Sequence, residues 1–479
     1  MVDTNCKKGK RMKTEHLSFY MKSIVFTLAV MLFIADQLIA WKDLRIILAL
    51  VSMLSIVISL SSCKLSSKLI SITFLAAGTS MVWNKGIDVL SYVKLHGDML
   101  YLLSLFAIVP LLSIPIQVAG YGEAFKRLFD GKIKSVSQLY RAITTLSYFL
   151  GSFLNMATIP IVHSSVKSVV DAWPIENRKR FLACCIIQGY SLPIIWTPFS
   201  GIVGVVLHVT QVRWAHIFPL LFVISLVALV LNWIIFSVIE GNRQLQVTHD
   251  THEETAAALS PAAAQEHSSV RRMLLEITAA IVILLFLVVY IDSISSLGLV
   301  VVVTLLTFPF AGIWCLLRQK GPEFWYKAKH HFKHKMPDMS ESFAVFLSAG
   351  FFAEALRFSG NDRLVNQLFI ELHDLIGIHF FVFLLPLCIL FLSFVGMHPI
   401  VVINLLAQSM TADVLGISTD QIAVALLGGA VMTFFMGPFS GTLGLMSSMI
   451  QLSPLRIASW SIVYVLAFSL ILTSAIIWL

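Results

Sequence analysis

Apolar residues run in long blocks along this chain, separated by short polar or charged stretches. A block of roughly 18 to 20 apolar residues is what a helix needs to cross a bilayer. In the first half the pattern predicts helices near 23–40, 44–60, 69–83 and 99–119. A block from Ala142 to Val170 follows, and it carries Ser152, Asn155, Thr158, Pro160, His163 and Ser164. The run from Phe181 to Val209 contains Pro193, Pro198 and Gly201, which predicts a broken helix. Trp214 to Ile239 predicts a further crossing. Glu240 to Arg272 is polar, with Ala-rich and His/Glu-rich sequence around Ser260-Pro261, and predicts a flexible linker between two halves. In the second half the pattern predicts helices near 273–291, 296–317 and 342–360. It also predicts an interrupted block over 380–410, a second broken helix over 422–450 and a last crossing over 455–479.

Composition sharpens this reading. The 479 residues are 58% apolar and 13% charged, with mean hydropathy +0.87. So little charge cannot cover a soluble surface. The chain is therefore predicted to be an all-α polytopic membrane protein with about 10 to 12 transmembrane helices. The net charge of +8 reads as loop charge at a cytoplasmic membrane face, not as a nucleic-acid site. The N-terminus, Met1 to Lys22, is basic and precedes an uncleaved first helix, so it is expected in the cytoplasm of a cell-membrane protein. The clusters at Lys126 to Arg141 and Lys327 to Lys335 fall on the same side. The second of these reads as a solvated basic loop rather than a metal site. Basic sequence flanks both ends of Ala142 to Val170. A helical hairpin that enters and returns on one side satisfies that, as would two short crossings. The six cysteines show no paired spacing and read as core residues.

The chain also repeats itself. Pro198-Phe199-Ser200-Gly201 recurs as Pro438-Phe439-Ser440-Gly441. Roughly one such recurrence is expected by chance in a chain of this length. Collinear neighbours give it weight. Gly120-Tyr121-Gly122-Glu123-Ala124 is similar to Gly350-Phe351-Phe352-Ala353-Glu354-Ala355. Asn155-Met156-Ala157-Thr158-Ile159-Pro160 is similar to Gly396-Met397-His398-Pro399. The offsets are 354 − 123 = 231, 397 − 156 = 241 and 438 − 198 = 240. The first hairpin has basic flanks, and the far end of the second, Asp413 to Asp420, is acidic. That predicts two repeats inverted in the membrane, each with a re-entrant hairpin and a broken helix. Such repeats point to a secondary transporter with a midplane site.

On these motifs the chain resembles the ion transporter superfamily, which includes divalent anion/sodium symporters and arsenite and citrate carriers. In that family each hairpin carries a Ser-Asn-Thr-type motif, and a later helix breaks at a turn rich in Gly, Pro, Ser and Thr. Leu154-Asn155-Met156-Ala157-Thr158 stands in for the first hairpin motif, and Thr197-Pro198-Phe199-Ser200-Gly201 resembles the first break. Gly437-Pro438-Phe439-Ser440-Gly441-Thr442 resembles the second break, while the second hairpin has Gly396-Met397-His398-Pro399 in place of the motif. The resemblance implies a membrane permease, and a homodimer, as related carriers often are.

Hairpin tips and unwound helices offer carbonyl and hydroxyl oxygens for a cation and exposed N–H groups for an anion. Asn155, Thr158, Thr197, Ser200 and Gly201 are predicted to line one half-site. His398, Asn404, Ser440, Gly441 and Thr442 are predicted to line the other. His398 could hold an anion or carry a proton. Glu123, Glu354 and Asp36 are acids in or near apolar segments, and either a functional role or a structural pairing suits them. No nucleotide-binding motif is present, so gradients of Na⁺ or H⁺ are expected to drive transport, without a cofactor. The expected function is cation-coupled transport of a small anionic solute. The alternative is a membrane-embedded enzyme such as a lipid-linked glycan polymerase or ligase, against which the lack of a long external loop counts.

Overall fold

The computed structural model describes every residue except 1, 40–41, 120–132, 240–260, 296, 362, 364–366, 368–369, 372–373 and 410–416. Of the described residues 85% are helical, and none lies in a strand. Ten helical stretches among them are long and apolar enough to cross a membrane. Glu123 and Asp413 lie outside the described residues.

The helices, in chain order, are α1 (Val2–Ile39), α2 (Lys42–Leu60), α3 (Leu65–Trp83), α4 (Val89–Lys94), α5 (Leu100–Ile108) and α6 (Ser113–Val118). Then come α7 (Val136–Leu154), α8 (Thr158–Ala172), α9 (Arg178–Ser191), α10 (Gly201–Thr210), α11 (Trp214–Ile239) and α12 (Pro261–Ile294). Next are α13 (Leu299–Leu317), α14 (Gly321–His330), α15 (Ser340–Ser359), α16 (Ile378–Phe394) and α17 (Pro399–Ser409). The chain ends with α18 (Thr419–Met436), α19 (Gly441–Ile450), α20 (Pro454–Ser459) and α21 (Ile462–Trp478). Hydroxyl and amide caps set many of the starts. Ser135, Asn177 and Ser418 accept from backbone N–H groups of α7, α9 and α18, and Ser418 forms a capping box with Gln421.

The chain divides into two compact units. The first comprises Met1–Ile114 and Val300–Gln367. Here α15 packs along α3 and also meets α2 and α5, while α1 lies on α2 and α5. Close approach requires Gly78, where a Cβ would stand 2.7 Å from the Phe351 ring. Phe26 and Phe343 stack at 4.0 Å. Glu354 pairs with Arg357 at 3.0 Å, and the buried Asp36 lies 3.9 Å from Arg45.

Three segments differ from the expectation. The basic stretch 318–338 is helical, as α14 followed by a single π-helical turn over His331–Lys335. Pro322 sits in the first turn, and Phe324, Ala328 and Met336 are buried, which anchors one face. His331 Nε2 reaches the Ala107 carbonyl at 2.8 Å. The predicted linker is helical from Pro261 onward, and the last crossing is interrupted between α20 and α21.

The second unit comprises Pro115–Leu299 and Leu368–Leu479. Helices α7 and α8 pack on one another across the turn Asn155–Ala157, and α16 packs on α17 across 395–398. Both pairs pack on interrupted helices, which carry the candidate site.

Candidate functional site

Helix α9 breaks after Ser191, and α10 begins at Gly201. Helix α18 breaks after Met436, and α19 begins at Gly441. Both restarts occur at the repeated Pro-Phe-Ser-Gly. A break inside an apolar unit frees backbone groups that need partners. At the first break Ser225 Oγ donates to the Leu192 carbonyl at 3.2 Å, and Trp214 Nε1 to the Trp196 carbonyl at 2.7 Å. Thr197 Oγ1 donates to the Ser152 carbonyl on α7, which ties the break to the hairpin. At the second break the Gly437 N–H donates to the Thr433 carbonyl at 2.7 Å.

The two restarts have the same construction. Ser200 and Ser440 are N-caps, and their hydroxyls accept from Ile202 N and Leu443 N, each at 3.3 Å. Each helix is ten residues long and ends at a left-handed glutamine, Gln211 (φ 58°) or Gln451 (φ 55°). Gly189 and Gly429 are also 240 apart and do the same job. A Cβ on Gly189 would stand 2.5 Å from the Thr144 carbonyl of α7, and one on Gly429 would stand 2.8 Å from the Pro386 carbonyl of α16. Contacts between whole helices follow the same rule. Helix α8 packs on α19 and α17 on α10, while α9 crosses α18 and meets α19, as α18 meets α10.

At the tip of the first hairpin α7 ends on Asn155, whose φ of 52° and ψ of −140° are unusual for a residue with a side chain. This turns the chain within three residues and points the amide at α9, where Tyr190 Oη donates to Asn155 Oδ1 at 3.2 Å. The next residue, Met156, stands over α19, where a Cβ on Gly441 would lie 2.7 Å from its Cε. The Tyr190 hydroxyl lies beside that of Thr442 without a hydrogen bond of normal geometry between them. Thr158 Oγ1 and Thr442 Oγ1 are fully buried and have no hydrogen-bond partner among the described residues. No side chain caps the start of α8. The start of α19, the Thr442 hydroxyl and the Asn155 amide oxygen are thus brought together around Tyr190 and Met156, next to the start of α8, which carries the Thr158 hydroxyl. Such an arrangement can hold a small anion by dipoles and hydrogen bonds.

Of the predicted residues, Asn155, Thr158, Gly441 and Thr442 come together here. Ser200 and Ser440 cap helices, and Thr197 latches the hairpin. His398 immediately precedes α17, which carries the buried Asn404 and packs on α10, the helix that begins at Gly201. His398 Nδ1 accepts from Ile400 N at 3.3 Å and so caps α17. The two breaks differ in access: Phe199 is 2% exposed and Phe439 66%. On α19 Gly441 is exposed, and a Cβ on Gly444 would meet nothing within 4 Å. The sequence reading missed Tyr190 and Met156. It also missed Gly204/Gly444 and Gln211/Gln451, which extend the repeated motif at the same offset of 240.

Interrupted helices paired with helical hairpins thus define the second unit of this helical membrane protein. The chain is similar to the crystal structure of the YdaH transporter of Alcanivorax borkumensis, with a TM-score of 0.55 and 15% identity. The match covers 80% of this chain and 87% of that one, and at this identity the likeness is one of fold. The chain matches no family model and no curated protein.

Proposed function

We propose that the protein is a secondary transporter, driven by a Na⁺ or H⁺ gradient, that moves a small anionic solute across the cell membrane. The observation that carries this reading is the pair of buried, unpartnered hydroxyls, Thr158 and Thr442, where the start of α8 meets α19. A buried hydroxyl without a partner costs about 1–3 kcal/mol, and a solute that hydrogen-bonds to it removes that cost. The anionic group sits at the open N-terminal face of α19, where Gly441 and Gly444 let it approach the backbone. The coupling ion uses carbonyl and amide oxygens near Asn155 if it is Na⁺, or His398 if it is a proton.

In this reading the halves of the second unit are inverted repeats. Contacts at matched offsets support it, as do the twin capped helices after the two breaks and the opposite loop charges. The resemblance to the ion transporter superfamily points the same way, with the N-terminus in the cytoplasm. A binding measurement tests the site. Purified protein is screened for thermal stabilisation by a panel of carboxylates and oxyanions, with and without Na⁺. At least one anion should stabilise the wild type and lose its effect in Thr442→Val. If no anion stabilises the protein, or Thr442→Val binds unchanged, the site is wrongly placed.

A further inference from the structure

A cavity of about 80 Å³ lies in the same unit, away from the candidate site, with its lining reaching the start of α9. One face of α9 lines it from rim to floor, with Asn177, Arg180, Cys184 and Gln188 following at helical spacing. At the floor Gln188 Oε1 accepts from Tyr140 Oη at 3.1 Å and also from Asn232 Nδ2. Gln188 Nε2 donates to Ser461 Oγ at 3.1 Å. This network occupies Gln188 and leaves Asn232 Oδ1 without a partner among the described residues, on a residue only 2% exposed. An oxygen buried in that way calls for a donor from outside the protein.

The rim has the opposite need. Helix α9 begins Arg178-Lys179-Arg180 and has no acidic residue in its first turn; of these Arg180 lines the cavity, and Glu176, just before the helix, puts one carboxylate on the same rim. The three cations outnumber that carboxylate and oppose the helix dipole, and an anion held on their side relieves both. The third side is apolar. Ile235 and Phe236 of α11 line the cavity with Val463 of α21, which is 55% exposed. Helix α11 lies in a stretch long and apolar enough to cross the membrane, so the cavity opens toward hydrocarbon as well as water.

We infer that this cavity binds the head group of a phospholipid. The phosphate sits at the basic start of α9. A head-group O–H or N–H donates to Asn232 Oδ1, directly or through water in the cavity. The acyl chains run along α11 and α21. The requirement for a donor selects ethanolamine or glycerol head groups over choline, which has none.

The test uses the full chain purified in detergent. Thermal unfolding and native mass spectra are recorded with phosphatidylethanolamine, phosphatidylglycerol and phosphatidylcholine of identical chains, and with soluble phosphoethanolamine and glycerol phosphate. The donor-bearing lipids should bind and raise the unfolding midpoint more than phosphatidylcholine, and the soluble esters should do nothing at matched concentration. Asn232→Leu should erase the preference, and Arg180→Gln should weaken retention about fivefold, as loss of one charge-assisted contact does. If Asn232→Leu fails to fold, the wild-type comparison decides alone. Equal stabilisation by phosphatidylcholine overturns the proposal. So does a preference that survives in folded Asn232→Leu. Stabilisation by the soluble esters alone would assign the cavity to a soluble phosphate ester instead of a lipid.

Discussion

Thr158 and Thr442 are the residues at which structure and function pull apart. Each buries a hydroxyl that finds no hydrogen-bond partner among the described residues. Replacing either by valine keeps the shape and removes the orphan group. Thr158→Val and Thr442→Val should each raise the stability of the ligand-free protein by about 1 kcal/mol, while abolishing stabilisation by the anion. Loss of stability in both variants would mean that the hydroxyls hold the fold. His398 makes a different prediction. A proton on Nδ1 would end its bond from Ile400 N, so protonation and the capping of α17 are coupled. His398→Gln should abolish any pH-driven part of transport, and unchanged pH dependence would remove His398 from the coupling. In the first unit burial pushes the Asp98 carboxyl from its ordinary 3.8 up to about 6, with Arg357 opposing. The folded protein then keeps a proton that the unfolded chain releases, so stability from this group falls as pH rises from about 4 to about 6. Asp98→Asn should flatten that slope and add about 1–3 kcal/mol at pH 7. An unchanged slope in pH-dependent melts would contradict this. His96, stacked on Phe351 at 4.2 Å, shifts the other way through burial, and it cancels when variant and wild type are compared. Polar residues in apolar blocks made Asn155, Thr158 and Thr442 legible in the sequence. Tyr190 and Met156 were not, because both look like ordinary members of an apolar run. Only packing from 35 residues away in one case, and across the two halves in the other, gives them a role.

At the scale of the helix, glycine decides how closely hairpins approach interrupted helices. A methyl group on Gly189 or Gly429 would press on a carbonyl of the neighbouring hairpin helix, which cannot move aside as a side-chain tip can. Gly189→Ala and Gly429→Ala should each cost about 1–3 kcal/mol. Gly444→Ala meets open space and should be neutral or stabilise α19 by up to about 1 kcal/mol. Melting midpoints check all three, and a neutral Gly189→Ala would contradict the close packing. The long apolar blocks marked the crossing helices well, because bilayer thickness fixes their length. The breaks were marked by Pro and Gly. The basic stretch that forms α14 was not legible as a helix. Its charges dominate the composition, and the few residues that anchor it, Phe324, Ala328 and Met336, are widely spaced.

At the scale of the molecule, the second unit carries the same contacts twice, at a near-constant offset. Alternating access by inverted repeats needs two such assemblies, each able to hold or release one side of a common site. The four-residue recurrence alone was worth little as a sequence signal. It gained force from the hairpins and loop charges around it, and the shared Gly and Gln positions were present but unread. The central claim is that the energy of an ion gradient drives an anion through the site between the first hairpin and α19. The most direct measurement is uptake by purified protein in sealed liposomes, using labelled carboxylates and oxyanions under imposed Na⁺ and pH gradients. The account predicts that at least one anion accumulates above its outside concentration, that an ionophore collapses the accumulation, and that Thr442→Val abolishes it. Anions that only equilibrate, whatever the gradient, would contradict it.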